Sequence, residues 1–140
     1  MDLLARREHS RLELQRKLCR KGCDEAVVEE VLAQLVAEGL LSDGRFAESY
    51  VNARKARGEG PVRIRAALRE KGVGDELIAD VLDNEAADWQ ALIRAAWHKR
   101  FAGKLPQDHK ERARQARFLQ QRGFTMEQIG ALLFRGERDA

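Results

Sequence analysis

Apolar residues recur along this chain at helical spacing, and they do so in three copies of one pattern. Gly22, Gly72 and Gly123 fall 50 and then 51 residues apart. Behind each glycine, apolar residues return at the fifth, sixth, ninth and tenth positions: Val27, Val28, Val31, Leu32, and then Leu77, Ile78, Val81, Leu82. The third copy keeps Ile129, Leu132 and Leu133, with Gln128 breaking the first place. Leu18, Leu68 and Leu119 each precede their glycine by four residues, and Lys21, Lys71 or Arg122 stands directly before it. A period of this length marks tandem supersecondary units that bury their apolar faces against one another.

The pattern predicts helices almost throughout. Val27, Val28, Val31, Leu32, Leu35 and Val36 form one stripe, ending at Gly39. Ser42 and Asp43 are N-cap residue types ahead of a stripe through Phe46, Tyr50, Val51 and Ala53. Pro61 suits a first helical position, with Ile64 and Leu68 facing inward and Gly72 just past the end. Trp89, Leu92, Ile93, Ala96 and Trp97 make a further stripe, stopped near Gly103 and Pro106. Residues 112–122 and 125–134 complete the set, and Ser10–Glu13 and Thr125–Gln128 have capping-box spacing. No strand pattern emerges. The expected fold is all-α: tandem three-helix repeats in an elongated, curved array. Repeat 1 spans 1–41 with its first helix cut down to Asp2–Glu8, repeat 2 spans 42–87, repeat 3 spans 88–136, and 137–140 is a frayed tail. Each repeat holds a first helix, a basic second helix ending at the glycine, and a third helix carrying the apolar quartet. All three glycines should adopt a left-handed conformation just past the helix end.

Composition sharpens this picture. Charged residues make up 35% of the 140, well above the usual quarter or so, so much of each unit is surface. Two prolines and one tyrosine do not suit a sandwich or barrel. The net charge is only +3, but the charge is segregated. Residues 6–21 and 54–71 each carry seven lysines and arginines against two glutamates, whereas the segments after Gly22 and Gly72 are acidic. No apolar run approaches the ~18 residues of a membrane span, and the first residues lack a secretory layout. The expected setting is cytoplasmic and reducing. There Cys19 and Cys23 are thiols, Cys23 occupying the apolar slot that Val73 and Phe124 hold in the other copies, so buried thiols are expected rather than a metal set.

Catalysis has little support. His9, His98 and His109 fall in different units with no nucleophile at a known spacing, so satisfied or exposed imidazoles are expected. Gly58-Glu59-Gly60-Pro61 lacks the lysine and hydroxyl of a phosphate loop, and a turn entering a helix accounts for it. No segment has a calcium-loop layout. No enzyme activity, cofactor, metal or small-molecule substrate is expected.

The basic second helices are the better candidates for function. Arg65 and Arg69 are i,i+4 neighbours, as are Arg16 and Arg20, and Lys110, Arg114 and Arg117 repeat the arrangement. Like charges at that spacing cost an isolated helix roughly 0.2–0.5 kcal/mol. Three such stripes suggest a surface for an anionic partner. The alternatives are the helix dipole, which favours cations near a C-terminus, and neutralisation by the neighbouring acidic helices. The candidate partner-binding residues are Arg57, Arg63, Arg65, Arg69, Lys71, Arg114, Arg117, Arg16 and Arg20.

These residues also carry a family likeness. The stretch Leu3-Leu4-Ala5-Arg6-Arg7-Glu8-His9-Ser10-Arg11-Leu12-Glu13-Leu14, continuing to Lys17-Leu18 and Lys21-Gly22, resembles the opening of the RecX family. Asp43-Gly44-Arg45-Phe46-Ala47-Glu48-Ser49-Tyr50-Val51, running on through Arg57-Gly58, Gly60-Pro61, Arg63-Ile64, Leu68 and Lys71-Gly72, resembles it most specifically. Lys110, Arg117-Phe118-Leu119, Arg122-Gly123-Phe124 and Ile129 form a weaker third match. Family members usually carry residues upstream of the first motif. The resemblance implies a non-enzymatic regulator that binds the RecA–single-stranded DNA filament and lies along its groove. It would interfere there with ATP hydrolysis and strand exchange in recombination, DNA repair and the SOS response. Single- or double-stranded DNA is a further candidate partner. The rival is a stand-alone DNA-binding protein, since sharply turned helix pairs resemble helix-turn-helix units.

Overall fold

The computed structural model describes residues 7–83 and 86–134. These form eight α-helices and no strand: α1 (Arg11–Arg20), α2 (Glu25–Ala37), α3 (Asp43–Ala56), α4 (Pro61–Glu70), α5 (Asp75–Asp83), α6 (Ala86–Phe101), α7 (His109–Gln121) and α8 (Met126–Leu133). Repeat 2 is the trio α3–α4–α5 and repeat 3 the trio α6–α7–α8, whereas α1 and α2, by position, are the second and third helices of repeat 1. The opening helix expected over Asp2–Glu8 and the frayed tail 137–140 fall mostly or wholly outside the described residues; Arg7 and Glu8 themselves are not helical. None of the described helices is long and apolar enough to cross a membrane.

The helix starts follow the capping chemistry of the sequence. Ser10 and Thr125 both close full capping boxes, with Glu13 and Gln128 respectively returning a side-chain acceptor to the cap N–H. Asp24, Ser42 and Asp108 cap α2, α3 and α7 with side-chain oxygens. The second helices all end as expected, with Gly22, Gly72 and Gly123 at φ +86°, +82° and +101°.

The apolar quartet divides by depth. Its sixth and tenth positions are buried in every repeat (Val28 and Leu32, Ile78 and Leu82, Ile129 and Leu133). The ninth is half-buried, and the fifth lies at the surface, with Val27 51% and Leu77 37% exposed. Gln128 therefore breaks nothing at the fifth place, and its side chain serves the α8 capping box. Val36 is likewise outside the core at 48% exposure. Both cysteines are exposed, contrary to the apolar slot read from Val73 and Phe124. Those two residues are buried in the core that repeats 2 and 3 share, while the first unit's core of Leu14, Val28, Leu32, Leu35 and Leu41 does not include Cys23.

Two cores result. Repeats 2 and 3 merge into one, from Phe46 and Val51 through Ile64, Leu68 and Trp89 to Leu119, Phe124 and Leu133. Repeat 1 packs separately and meets repeat 2 through a mostly polar seam.

Candidate partner-binding surface

Second helices meet end to end at both seams. At the junction of repeats 2 and 3, the N–H groups of Gly60 and Val62 donate to the carbonyls of Arg122 and Gly123, each at 2.8 Å. Gly60, the N-cap of α4, has no side-chain cap, so its orphan donors are satisfied by the orphan acceptors of α7. The approach is so close that a Cβ on Gly60 would run into the Gly123 backbone, and one on Gly123 into Arg63. A simple turn does not explain Gly60; backbone-on-backbone contact does. At the junction of repeats 1 and 2, the start of α1 takes the equivalent place on the end of α4. Ser10 Oγ donates to the Lys71 carbonyl at 2.7 Å, and Leu12 lies against Gly72.

The seams absorb several charged side chains. Lys71 Nζ sits 3.2 Å from Glu13, with its ammonium 5.8 Å from the Tyr50 ring centroid. Burial alone would raise the Glu13 carboxyl. The hydrogen bonds from Arg7, the Ser10 N–H and Lys71 outweigh it and hold the carboxyl below the ordinary glutamate value. Arg45 pairs with Glu8 at 3.1 Å, and the Arg11 N–H donates to Asp43 at 2.8 Å. His9 is buried, its Nδ1–H donating to the Arg7 carbonyl at 3.1 Å and its Nε2 accepting from Lys17 at 2.8 Å. That is the satisfied imidazole expected, and His98 and His109 are exposed. Burial, joined by the charges of Arg7 and Lys17, lowers the His9 pKa against the opposing Arg7 carbonyl bond.

The nine candidate cations fall into distinct settings. By helical spacing Arg65 and Arg69 share a flank of α4 that Arg63 does not, but they do not stand unanswered. Each takes its own carboxylate from acidic α5: Arg65 with Asp83 at 3.7 Å and Arg69 with Asp75 at 2.9 Å. Arg63 reaches Glu59 at 3.3 Å, and the buried Glu59 also binds Arg54 at 3.1 Å. Arg114 pairs with Glu111 at 2.8 Å, and its guanidinium holds that carboxyl below its ordinary range. Arg16 donates weakly to the Glu70 carbonyl (3.5 Å), and Arg20 to the Arg16 carbonyl (3.3 Å). Arg57 and Arg117 are exposed and have no anionic neighbour among the described residues.

One cationic group was not visible in the linear pattern. Arg57, Lys99, Arg100 and Arg122 line a cavity of about 340 Å³ at the seam of repeats 2 and 3, together with Phe118. They come from three different helix ends that only the fold brings together. Gln115, in the place of Leu14 and Ile64, is the other unforeseen residue. It is buried, accepts from Trp97 Nε1 at 2.8 Å and donates to the Lys104 carbonyl at 3.0 Å. Among the described residues no group of His, Cys, Asp and Glu is placed to hold a metal.

Comparison with known proteins matches this architecture domain by domain. Models of the first, second and third three-helix domains of RecX match residues 1–35, 42–82 and 87–133. The chain is 50% identical over 139 residues to the regulatory protein RecX of Halorhodospira halophila, covering 99% of this chain and 86% of that one. It is 48% identical over 133 residues to the regulatory protein RecX of Pseudomonas savastanoi pv. phaseolicola, covering 95% and 86%. Among solved structures, a crystal structure of regulatory protein RecX superposes with a TM-score of 0.79 at 23% identity, over 99% of this chain and 68% of that one. RecX from Lactobacillus salivarius superposes with a TM-score of 0.75 at 22% identity, over 99% and 90%.

Proposed function

The chain belongs to the RecX family, and from that premise we propose that it is a non-enzymatic regulator that binds the RecA–single-stranded DNA filament and restrains its ATP hydrolysis and strand exchange. The observation that carries the reading is the match of all three RecX domains, in order, along one chain whose relatives are named regulatory proteins. The geometry is compatible with it. End-to-end docking of α1, α4 and α7 orders the basic second helices into one row, which suits a long repetitive partner better than a compact ligand.

The helix-turn-helix rival fares poorly on this geometry. A recognition helix presents its first residues to base edges. The third helices would be the readers, yet α2 and α5 open with Asp24-Glu25 and Asp75-Glu76, which repel phosphates. The starts of α1 and α4 are occupied by the seams.

The test is the single-stranded-DNA-dependent ATPase of RecA, titrated with this protein. Inhibition at substoichiometric amounts is expected, weakening as salt rises; an unaltered rate at saturation would sink the reading. The candidate surface on α4 is tested by Arg65→Glu with Arg69→Glu. The Arg69–Asp75 pair is exposed and the 3.7 Å Arg65–Asp83 pair is half-buried only on its Arg65 side, so both contribute little to stability; the double variant should stay folded and inhibit at least tenfold less effectively. Full inhibition by it would move the surface away from α4.

A further inference from the structure

The cavity lined by Arg57, Lys99, Arg100 and Arg122 has a charge imbalance that the described residues do not resolve. Arg57 and Arg122 are the C-cap residues of α3 and α7, and Lys99 and Arg100 lie in the last turn of α6. Three helix C-termini therefore converge here, each bringing roughly half a negative charge. Together they offset only about 1.5 of the four positive charges. No carboxylate among the described residues lines the cavity. Arg122 is anchored by the carbonyls of Gly58 and Arg57, which fixes its planar fork without neutralising it. The Arg100 guanidinium stands 5.7 Å from the Phe118 ring centroid and 5.4 Å from that of Phe101. Those two rings are packed edge to face at 5.4 Å. Arg57 and Lys99 have no anionic partner among the described residues.

We propose that this cavity binds a phosphodiester group of single-stranded nucleic acid, with Arg57, Lys99 and Arg122 meeting the phosphate and Phe118 the adjoining sugar or base. Two guanidinium forks and an ammonium suit phosphate oxygens, which accept several hydrogen bonds at once. A basic groove floored by an aromatic ring is the arrangement that holds unpaired strands. The concave seam favours a single strand, which can bend a phosphate inward, over the stiff outer surface of a duplex.

The site is separable from any action on RecA, because its test contains no RecA. Binding of a short fluorescein-labelled oligothymidylate is followed by anisotropy across a salt series, for the wild type and for Arg57→Gln with Lys99→Gln. Both residues are exposed, so helicity and melting should not change. The expected result is a loss of affinity of tenfold or more, with the salt slope reduced by about 1.4 for two lost cations at ~0.7 each. In the wild type, saturating oligonucleotide should protect Lys99 from acetylation, read by mass spectrometry. An unchanged affinity and slope, an unprotected Lys99, or a wild type that does not bind the oligonucleotide overturns the proposal. So does equal competition by duplex DNA or by polyglutamate, the latter marking an acidic protein surface as the occupant.

Discussion

Gly22→Ala and Gly72→Ala are the same substitution in the same local geometry, and the structure requires their effects to differ. Both glycines follow a second helix at nearly equal φ, +86° and +82°. A side chain in that region costs each roughly 1–2 kcal/mol. A Cβ on Gly22 meets nothing within 4 Å, whereas one on Gly72 lies 2.7 Å from Leu12 Cβ and 2.9 Å from Leu12 Cδ2. Leu12 sits in the first turn of α1, whose start is bound to the Lys71 carbonyl, so it cannot move without opening the seam. Overpacking of this kind adds roughly 1–3 kcal/mol. Urea denaturation should therefore place Gly72→Ala about 1–3 kcal/mol below Gly22→Ala. Two probes locate the damage. Circular dichroism reports all the helices, but Trp89 and Trp97 both lie in the core shared by repeats 2 and 3. In Gly72→Ala the dichroism should begin to fall before tryptophan emission shifts, as repeat 1 detaches first. Equal destabilisation by the two variants, within about 0.5 kcal/mol, would refute the seam argument.

Two further outcomes follow from the buried polar groups. Gln115→Leu fits the apolar pattern of α1 and α4 yet should destabilise by roughly 1–3 kcal/mol, because it leaves the buried Trp97 N–H without an acceptor; a melting temperature at or above wild type would show that the bond contributes nothing. Burial sets the folded His9 pKa below the ordinary 6.5, so the unfolded chain takes up its proton first as pH falls. The stabilisation is complete above about 6.5 and is lost progressively as pH drops toward the lowered folded value, a slope in urea midpoints that His9→Ala should abolish.

The fold was legible because its signals are local. Capping boxes, Pro61, the three glycines and the 3.6-residue stripes each specify a helix or its end from a few adjacent residues. Burial was less legible, because periodicity gives a face and not its depth. Val27, Leu77 and Val36 sit on the apolar side of their helices but outside the packed core. Cys23 shows the same limit across copies: homologous position did not guarantee homologous cover. Glu59 was missed because its partners lie around a turn, and Gln115 because a polar side chain hides an inward position that only its place in the repeat, shared with Leu14 and Ile64, marks.

Charge was the hardest property to read along the chain, and the reason is geometric. Spacing on one helix shows which cations repel one another, as Arg65 and Arg69 do. It does not show that α5 folds back with Asp83 and Asp75 at 3.7 and 2.9 Å from them. The segregation into basic second and acidic third helices thus has two consequences. Within repeat 2 it makes the helices mutual counter-ions through exposed, weak pairs, which an outside anion can displace at small cost. At the seam of repeats 2 and 3 there is no acidic helix among the described residues to answer, because second-helix and first-helix ends meet there instead. Arg57 was singled out from sequence, but Lys99, Arg100 and Arg122 join it only when three helix ends converge. On the binding proposed above, an anionic partner gains most where ends of helices meet, and the row of second helices would lead its charge toward that seam.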